Sequence, residues 1–244
     1  MREHVPSTLV DRFAPSRGDL HSVLQSARQR FLGPDLPPVV VLTVDGVSIR
    51  FRVGNAFEYR QLMRYDADPD GTVLADFVSR LDPNDVVWDV GAHVGVFASF
   101  AAATVGSENV VAVEPHPRNV ARLRDNTTRN GFDVPVRQVA LADVPGEATL
   151  TESGPDVAGA FGLLADEASD GTTVVVTTGD QLVDEDDLPA PTVLKIDIEG
   201  AETDAILGLR STLAASDSIA PVQVASPIVR NRILRCSLSS PSTG

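Results

Sequence analysis

The sequence contains one cysteine and no long run of apolar residues. The single Cys236 cannot form a disulfide within the chain or a zinc site built from several thiolates. No stretch approaches the ~18 apolar residues of a membrane-spanning helix, and residues 1–11 carry charges and Pro6 where a signal peptide would be apolar. We therefore expect a soluble, cytoplasmic protein with no membrane partner.

Basic residues are also scarce, since 20 Lys and Arg stand against 34 Asp and Glu, and Lys195 is the only lysine. A formal net charge of -14 with so little lysine is typical of proteins that stay soluble in concentrated salt, where charges are screened within about 3 Å at 1 M. We expect a halophilic source, with an ordinary acidic protein as the alternative. Nucleic acid is not an expected partner, because phosphate binding needs a basic stripe and none precedes residue 218.

Residues 1–81 are interpreted as an N-terminal extension. Two β-rich runs flank Asp45-Gly46, which predicts a hairpin because both residues of a type I′ turn need positive φ. This hairpin is a candidate lid. Apolar residues at helical spacing predict helices over 20–31 and 73–81, the second capped by Thr72.

Residues 82–217 alternate between short apolar strands and helices, which is the signature of βαβ units. The predicted fold class is α/β, a Rossmann-like, doubly wound and mostly parallel sheet. The strands are expected at 86–90, 110–114, 134–140, 174–177 and 193–198, with a short strand at 148–151. The helices are expected at 94–104, 117–129 and 201–213, and an irregular loop at 154–171.

Residues 218–244 break this pattern, because they contain three arginines and no acidic residue. Two interpretations remain open for this tail. It is either a natural flexible tail or the product of a changed reading frame near Ser216, which would remove the last strands of a doubly wound sheet.

A strand running directly into a glycine turn and a helix is predicted around Asp89, Gly91 and Gly95. Gly91 lets the backbone approach a cofactor, and Gly95 lets the helix pack closely. A dinucleotide site would have G-x-G-x-x-G, and an acid at position 89 would repel a pyrophosphate but attract an amino group. A tight turn without a ligand is the alternative.

Two further carboxylates follow predicted strands. Glu114 ends the second strand before Pro115, where it can accept hydrogen bonds from both hydroxyls of a ribose. A solvated loop acid is the alternative. Asp143 follows the third strand and is placed to meet an adenine amino group, although a plain surface acid is equally expected there.

Acids also cluster after the predicted central strand, at Asp197, Glu199 and Glu202, beside Lys195. Like charges repel, so such a cluster indicates a site above the topological switch point of the sheet. The structural alternative is that Asp197 pairs with Lys195 while Glu202 caps the next helix. No histidine stands at metal-ligand spacing, so no metal is expected.

These motifs resemble the FkbM family of class I methyltransferases. The resemblance covers about residues 82–213 and is most specific in Lys-Ile-Asp-Ile-Glu-Gly-Ala-Glu, residues 195–202. It implies O-methylation of a hydroxyl on a sugar, glycan or secondary metabolite, with S-adenosylmethionine as donor. Family members continue into a strand with Glu and His near its end, where this chain has residues 220–225, Ala-Pro-Val-Gln-Val-Ala.

The resemblance also assigns the site residues. Asp89, Gly91 and Gly95 would hold the amino acid part of the donor, Glu114 its ribose, and Asp197 would stand near the transferred methyl. The full expected donor site is Asp89, Gly91, Ala92, His93, Gly95, Glu114 and Asp143, with Glu199 and Glu202 as further acids of the active site.

Asp197 is the candidate base that removes the acceptor proton, and His93 is the second choice. Burial and Glu199 would raise the pKa of Asp197, whereas Lys195 would lower it, and the sequence does not decide between them. A small-molecule or glycan acceptor is the expected partner, and no oligomeric state is predicted. The alternatives are a non-catalytic or truncated methyltransferase-like protein and an NAD-dependent oxidoreductase.

Overall fold

The computed structural model describes residues 37–67, 72–152, 161–163, 171–186, 188–198, 200–215, 222–226 and 229–234. The predicted helix over 20–31 and Glu199 lie outside these residues. The predicted α/β fold is confirmed. Within the described ranges, no helix is both long enough and apolar enough to cross a bilayer.

The N-terminal hairpin has the predicted turn. Strand β1 (Val39–Val44) pairs antiparallel with β2 (Val47–Arg52). The φ angles of Asp45 and Gly46 are 47° and 81°, the double positive φ of a type I′ turn. Alternate residues of both strands are buried in the core, namely Val40, Leu42, Ile49 and Phe51.

Two helices follow the hairpin. Helix α1 (Ala56–Ala67) is absent from the sequence-based expectations. Its start is capped by Asn55, whose Oδ1 accepts the Glu58 N–H at 2.8 Å. Helix α2 (Thr72–Ser79) matches the predicted helix over 73–81, although it ends two residues earlier.

The remaining elements follow in chain order. They are β3 (Val87–Val90), α3 (Val96–Val105), a 3-10 turn (Ser107–Asn109), β4 (Val110–Val113), α4 (Pro117–Arg129), β5 (Val136–Arg137), β6 (Ala140–Leu141), β7 (Gly146–Glu152), β8 (Phe161–Leu163), β9 (Gly171–Thr177), α5 (Gly179–Asp184), β10 (Val193–Ile196), α6 (Glu202–Leu207), α7 (Arg210–Ala215), β11 (Val222–Ser226) and β12 (Val229–Leu234).

The central sheet has six strands in the order β12-β11-β10-β3-β4-β5. All neighbours are parallel except β11 and β12. The chain winds from β3 to β4 on one side, whereas β10 lies on the other side of β3. The switch point therefore lies between β3 and β10, where open α/β sheets bind ligands beyond the carboxyl ends of their strands.

The predicted strand over 134–140 is divided between two sheets. Strand β5 pairs with β4 in the central sheet, whereas β6 pairs with β9 in a second sheet of order β6-β9-β7-β8. Strand β8 lies inside the predicted loop over 154–171. The local sequence cannot reveal such a division, because it depends on which distant strand each half pairs with.

The predicted helix over 201–213 is also divided. It breaks at Gly208 between α6 and α7. A Cβ on Gly208 would collide with the Ala142 carbonyl oxygen, and the Gly208 carbonyl accepts the Asp180 N–H at 2.9 Å. Tertiary contacts with the chain after β6 and with α5 thus decide where the helix stops.

The C-terminal strands extend the sheet beyond β10. Strand β11 pairs parallel with β10, and β12 returns antiparallel to β11. Residues 222–226 and 229–234 therefore occupy the second half of the sheet. The division of the chain into an extension, a donor-binding domain and an atypical tail stays a prediction.

Helix α4 holds the hairpin against the sheet through two asparagines. The Oδ1 atom of Asn126 accepts the Arg52 N–H, and its Nδ2 donates to the Val94 carbonyl, each at 2.9 Å. One turn later, Asn130 accepts the Arg50 N–H at 2.9 Å and donates to the Arg50 carbonyl at 2.8 Å. The extension and the sheet thus form one packed body.

Candidate functional site

The glycine turn after β3 forms the floor of a cleft. Three of its residues have positive φ, with 75° at Gly91, 50° at His93 and 85° at Gly95. A Cβ on Gly91 would collide with the Asp197 carbonyl oxygen. A glycine is therefore required at position 91 because the chain after β10 passes close to it. The sequence analysis explained this glycine by the approach of the backbone to a cofactor.

Gly95 precedes the first residue of α3 and faces α4. A Cβ at Gly95 would lie 3.1 Å from Leu123 Cγ, closer than an ordinary van der Waals contact. The absence of a side chain thus lets α3 and α4 pack together. The sequence analysis had instead predicted that Gly95 lets the helix pack against the strand.

Asp89 is fully buried beneath this turn and pairs with Lys195. The two residues stand opposite each other in the register of β3 and β10. Lys195 Nζ lies 2.8 Å from Asp89 Oδ1, and Asp89 Oδ2 accepts the Ala98 N–H at 2.9 Å. The alternative pairing of Lys195 with Asp197 is thus not the one observed, because in-register neighbours project from the same face of the sheet.

Lys195 also braces the turn itself. Its Nζ donates to the Gly91 carbonyl at 2.9 Å and lies 5.1 Å from the centre of the Phe97 ring. Burial acts to lower the pKa of Lys195, but the charges of Asp89 and then Asp197 outweigh it, so the pKa is raised. The ammonium group therefore stays charged and neutralises Asp89.

Glu114 stands at the end of β4, where it lines the cleft while only 4% exposed. Its Oε2 accepts the His93 N–H at 2.9 Å. Its Oε1 accepts the His116 N–H at 3.0 Å and the Asn119 side-chain amide at 3.1 Å. Two bonds fill Oε1, so Oε2 has the remaining lone pair for a ligand hydroxyl.

Asp197 lines the same cleft at the carboxyl end of β10, partly buried. Its backbone N–H donates to the Val90 carbonyl at 3.0 Å, which fixes it beside the glycine turn. Burial raises the pKa of Asp197; Lys195 and His93 oppose this, while Asp89 and Glu202 add to it. Burial has the largest effect, so the pKa of Asp197 is raised. The sequence alone left the direction of this shift undecided.

The other predicted acids occupy different positions. Glu202 is the first residue of α6, and its Oε2 accepts the Gly200 N–H at 2.9 Å. Asp143 is exposed and is not among the residues that line the cleft. Ala92 and His93 do line it, whereas the side chain of Asp89 lies below its floor.

The cleft also has walls that sequence reasoning missed. Gln61, Leu62 and Tyr65 of α1 form one wall, and Asn119 of α4 lies beside Glu114. An apolar end is formed by four residues around the second sheet, namely Val139, Ala140, Leu141 and Leu150. A signal for α1 was present, because Asn55-x-x-Glu58 matches the capping-box pattern at a helix start.

This set of groups fits a methyl-donor nucleoside. The apolar end suits an adenine, the lone pair on Glu114 suits a ribose hydroxyl, and the glycine turn brings backbone groups to the cleft floor. Asp197 and Lys195 also line the cleft, beside the switch point between β3 and β10.

The chain matches the model of the methyltransferase FkbM domain over residues 89–225. It is 29% identical over 175 residues to the hexuronic acid methyltransferase AglP of Haloferax volcanii, covering 71% of this chain and 70% of that protein. It is 41% identical over 71 residues to the 31-O-demethyl-FK506 methyltransferase FkbM of Streptomyces tacrolimicus, covering 29% of this chain and 27% of that protein.

Among solved structures, one similar chain is the precorrin-6y C5,15-methyltransferase of Geobacter metallireducens, with 18% identity and a TM-score of 0.39. The match covers 63% of this chain and 61% of that chain. The family match extends from Asp89 through the glycine turn, Glu114 and Asp197 into β11. Since it spans more than half of the sequence, this protein belongs to the FkbM family of S-adenosylmethionine-dependent methyltransferases.

Proposed function

We propose that this protein transfers the methyl group of S-adenosylmethionine to a hydroxyl group of a sugar, glycan or secondary metabolite. The supporting observation is Asp197, which lines the cleft at the switch point with a raised pKa. A carboxylate with a raised pKa accepts a proton more readily, as a base acting on a hydroxyl must. The two relatives, named for hexuronic acid and 31-O-demethyl-FK506, support acceptors of this kind.

In this proposal the donor lies along the glycine turn. Gly91, Ala92, His93 and Gly95 hold its amino acid part, and Glu114 binds its ribose. Asp143 is proposed to contact the adenine, and the only support for this is its position shortly after β6. Asp89 acts indirectly, because it holds Lys195, which in turn holds the Gly91 carbonyl.

The donor supplies a methyl group on a positively charged sulfur. The acceptor oxygen would bond to the methyl carbon in line with the carbon–sulfur bond, which breaks and leaves S-adenosylhomocysteine. The chain's contribution is to align the two reactants and to remove a proton. Asp197 accepts the proton of the acceptor hydroxyl. Glu202 adds negative charge that raises the pKa of Asp197.

We also propose that the protein works in the cytoplasm at high salt concentration. The net charge of -14 and the single lysine support this. Unfolding in potassium chloride from 0.1 to 3 M tests it. A midpoint that rises with salt supports the proposal, and a midpoint independent of salt contradicts it.

The experiment for the main proposal measures S-adenosylhomocysteine formed from S-adenosylmethionine, in molar potassium chloride, with glycosides and free hexuronic acids as acceptors. Product that depends on an acceptor hydroxyl supports it. A methyl ether survives mild alkali whereas a methyl ester does not, so an alkali-labile product would move the reaction to a carboxyl group.

Titration of S-adenosylmethionine and of NAD into the purified protein separates the remaining alternatives. Binding of NAD but not of S-adenosylmethionine would contradict the methyltransferase proposal and support an NAD-dependent oxidoreductase. A folded protein that binds neither would be an inactive copy.

A further inference from the structure

Helix α1 brings an aromatic side chain to the cleft. Tyr65 shares a face of the helix with Leu62 and Gln61, because residues three and four positions apart lie on the same side. This face lines the same cleft as the glycine turn and Asp197.

The position of this helix is fixed by its first turn. Glu58 is buried, and its Oε2 accepts the Gly54 N–H at 2.6 Å. Its Oε1 lies 3.5 Å from Arg122 Nη2 of α4. A helix tied at its start to α4 holds its inner face in one orientation, so Tyr65 belongs to the preformed cleft.

Tyr65 and Asp197 line the same cleft, close enough for the charge of Asp197 to act on the tyrosine. Its ring meets the Phe97 ring edge to face, with 6.0 Å between centres and 81° between planes. The same Phe97 ring lies 5.1 Å from Lys195 Nζ. The charges of Lys195, Asp197 and Asp89 all act on the Tyr65 hydroxyl.

The Tyr65 hydroxyl keeps its proton. Burial raises the pKa of Tyr65 above its ordinary value, with smaller contributions from the neighbouring charges. Among the described residues, the structure gives this hydroxyl no hydrogen-bond partner. The ring therefore stays neutral and electron-rich, and the hydroxyl can bond to a polar group of a ligand.

A ring in this place suits a cation. The face of an aromatic ring attracts a positive charge within about 6 Å of its centre. Lys195 is already neutralised by Asp89, so the positive charge of a bound methyl donor meets little repulsion there. We propose that Tyr65 binds the charged sulfur end of S-adenosylmethionine through its ring, an inference that rests on the proposed function.

The test compares S-adenosylmethionine, whose sulfur is charged, with S-adenosylhomocysteine, whose sulfur is neutral. Tyr65→Leu is expected to weaken binding of the first about tenfold and to leave the second within about threefold. Tyr65→Phe keeps the ring and is expected to keep the wild-type ratio of the two affinities. Tyr59→Leu is the matched control, because Tyr59 packs on the core from the same helix and does not line the cleft.

Progressively fluorinated phenylalanines at position 65 give a second measurement that preserves the shape of the ring. Each added fluorine is expected to weaken binding of S-adenosylmethionine and not of S-adenosylhomocysteine. Equal losses for both ligands, or no loss, would overturn the role of Tyr65. If the wild-type protein binds neither ligand, the proposed function itself fails.

Discussion

Lys195 Nζ and Asp89 Oδ1 lie 2.8 Å apart with both side chains almost fully buried, at 4% and 0% exposure. Each group is stable in the interior because the other is charged. The pair joins the two strands that flank the switch point and braces the Gly91 carbonyl above them. The ion pair between β3 and β10 therefore holds the glycine turn at the floor of the cleft.

Lys195→Met is expected to lower the free energy of unfolding by about 3 to 5 kcal/mol, because Asp89 would remain buried without its partner. Chemical denaturation measures this loss. Arg80→Met is the matched control, since Arg80 and Asp76 are also 2.8 Å apart but are 51% and 43% exposed. The control is expected to cost far less because solvent screens an exposed ion pair, and equal costs would contradict the argument.

Asp197→Asn is expected to reduce turnover at least about 100-fold, because an amide cannot accept the acceptor proton. Calorimetric affinity for S-adenosylmethionine is expected to stay near that of the wild type. Asp204→Asn changes an exposed acid of the nearby helix α6 and is expected to leave turnover unchanged. Full activity in Asp197→Asn would remove this residue from the mechanism.

The pH dependence of turnover follows from the raised pKa of Asp197. Only the carboxylate is a base, so the rate is expected to rise with pH as Asp197 loses its proton. Because the pKa is raised, the midpoint of this rise lies above the ordinary value of about 4. Initial rates between pH 4 and 9 measure it, and a flat profile down to pH 4 would count against Asp197.

Gly91→Ala is expected to destabilise the fold more than Gly131→Ala. Both glycines have positive φ, at 75° and 81°, so each alanine adopts a left-handed conformation at a cost of about 1 to 2 kcal/mol. Only Gly91 also faces the Asp197 carbonyl oxygen, whereas nothing lies within 4 Å of a Cβ on Gly131. This collision is expected to add about 1 to 3 kcal/mol in denaturant titrations.

Asp180→Ala is expected to cost about 1 kcal/mol at neutral pH, because Asp180 caps the start of α7. Its carboxylate accepts the Thr212 N–H at 2.8 Å and the Ser211 N–H at 3.0 Å. Burial acts to raise the pKa of Asp180, but these hydrogen bonds outweigh it and the pKa is lowered.

The contribution of Asp180 to the free energy of unfolding depends on pH. A lowered pKa in the folded protein gives stability that is present above the unfolded pKa and is lost as pH falls through the folded value. The difference between wild type and Asp180→Ala is therefore expected to shrink below about pH 4. Asp184→Ala changes an exposed acid in α5 and is the control, expected to alter the free energy of unfolding at neutral pH by no more than about 0.5 kcal/mol.

The parts of the fold that the sequence predicted are encoded locally. The turn at Asp45-Gly46, the alternation of strands with helices, and the glycine turn each depend on neighbouring residues. Helix α1 also has a local signal, Asn55-x-x-Glu58, which was overlooked, whereas the divided helix over 201–213 depends on distant partners. The break at Gly208 arises from contacts with Ala142 and Asp180.

The site divides in the same way. Glu114 and Asp197 were predicted at the cleft because both follow strands whose carboxyl ends meet at the switch point. Tyr65 and Asn119 were missed, since each comes from a helix whose approach to the cleft is decided by packing. The partner of Asp89 could not be predicted from the sequence, because only the register of β3 and β10 reveals that it is Lys195.

Asn126 of α4 and Asn130, which follows this helix, also occupy the outer edge of β2. Four residues of helix advance about 6 Å and two residues of strand about 6.6 Å, so Asn126 and Asn130 match the spacing of Arg50 and Arg52. Side-chain amides thereby bond the outward backbone groups of β2 that an incoming strand would need. A second hairpin therefore cannot pair with the outer edge of β2, although no further strand among the residues that the structure describes covers that edge.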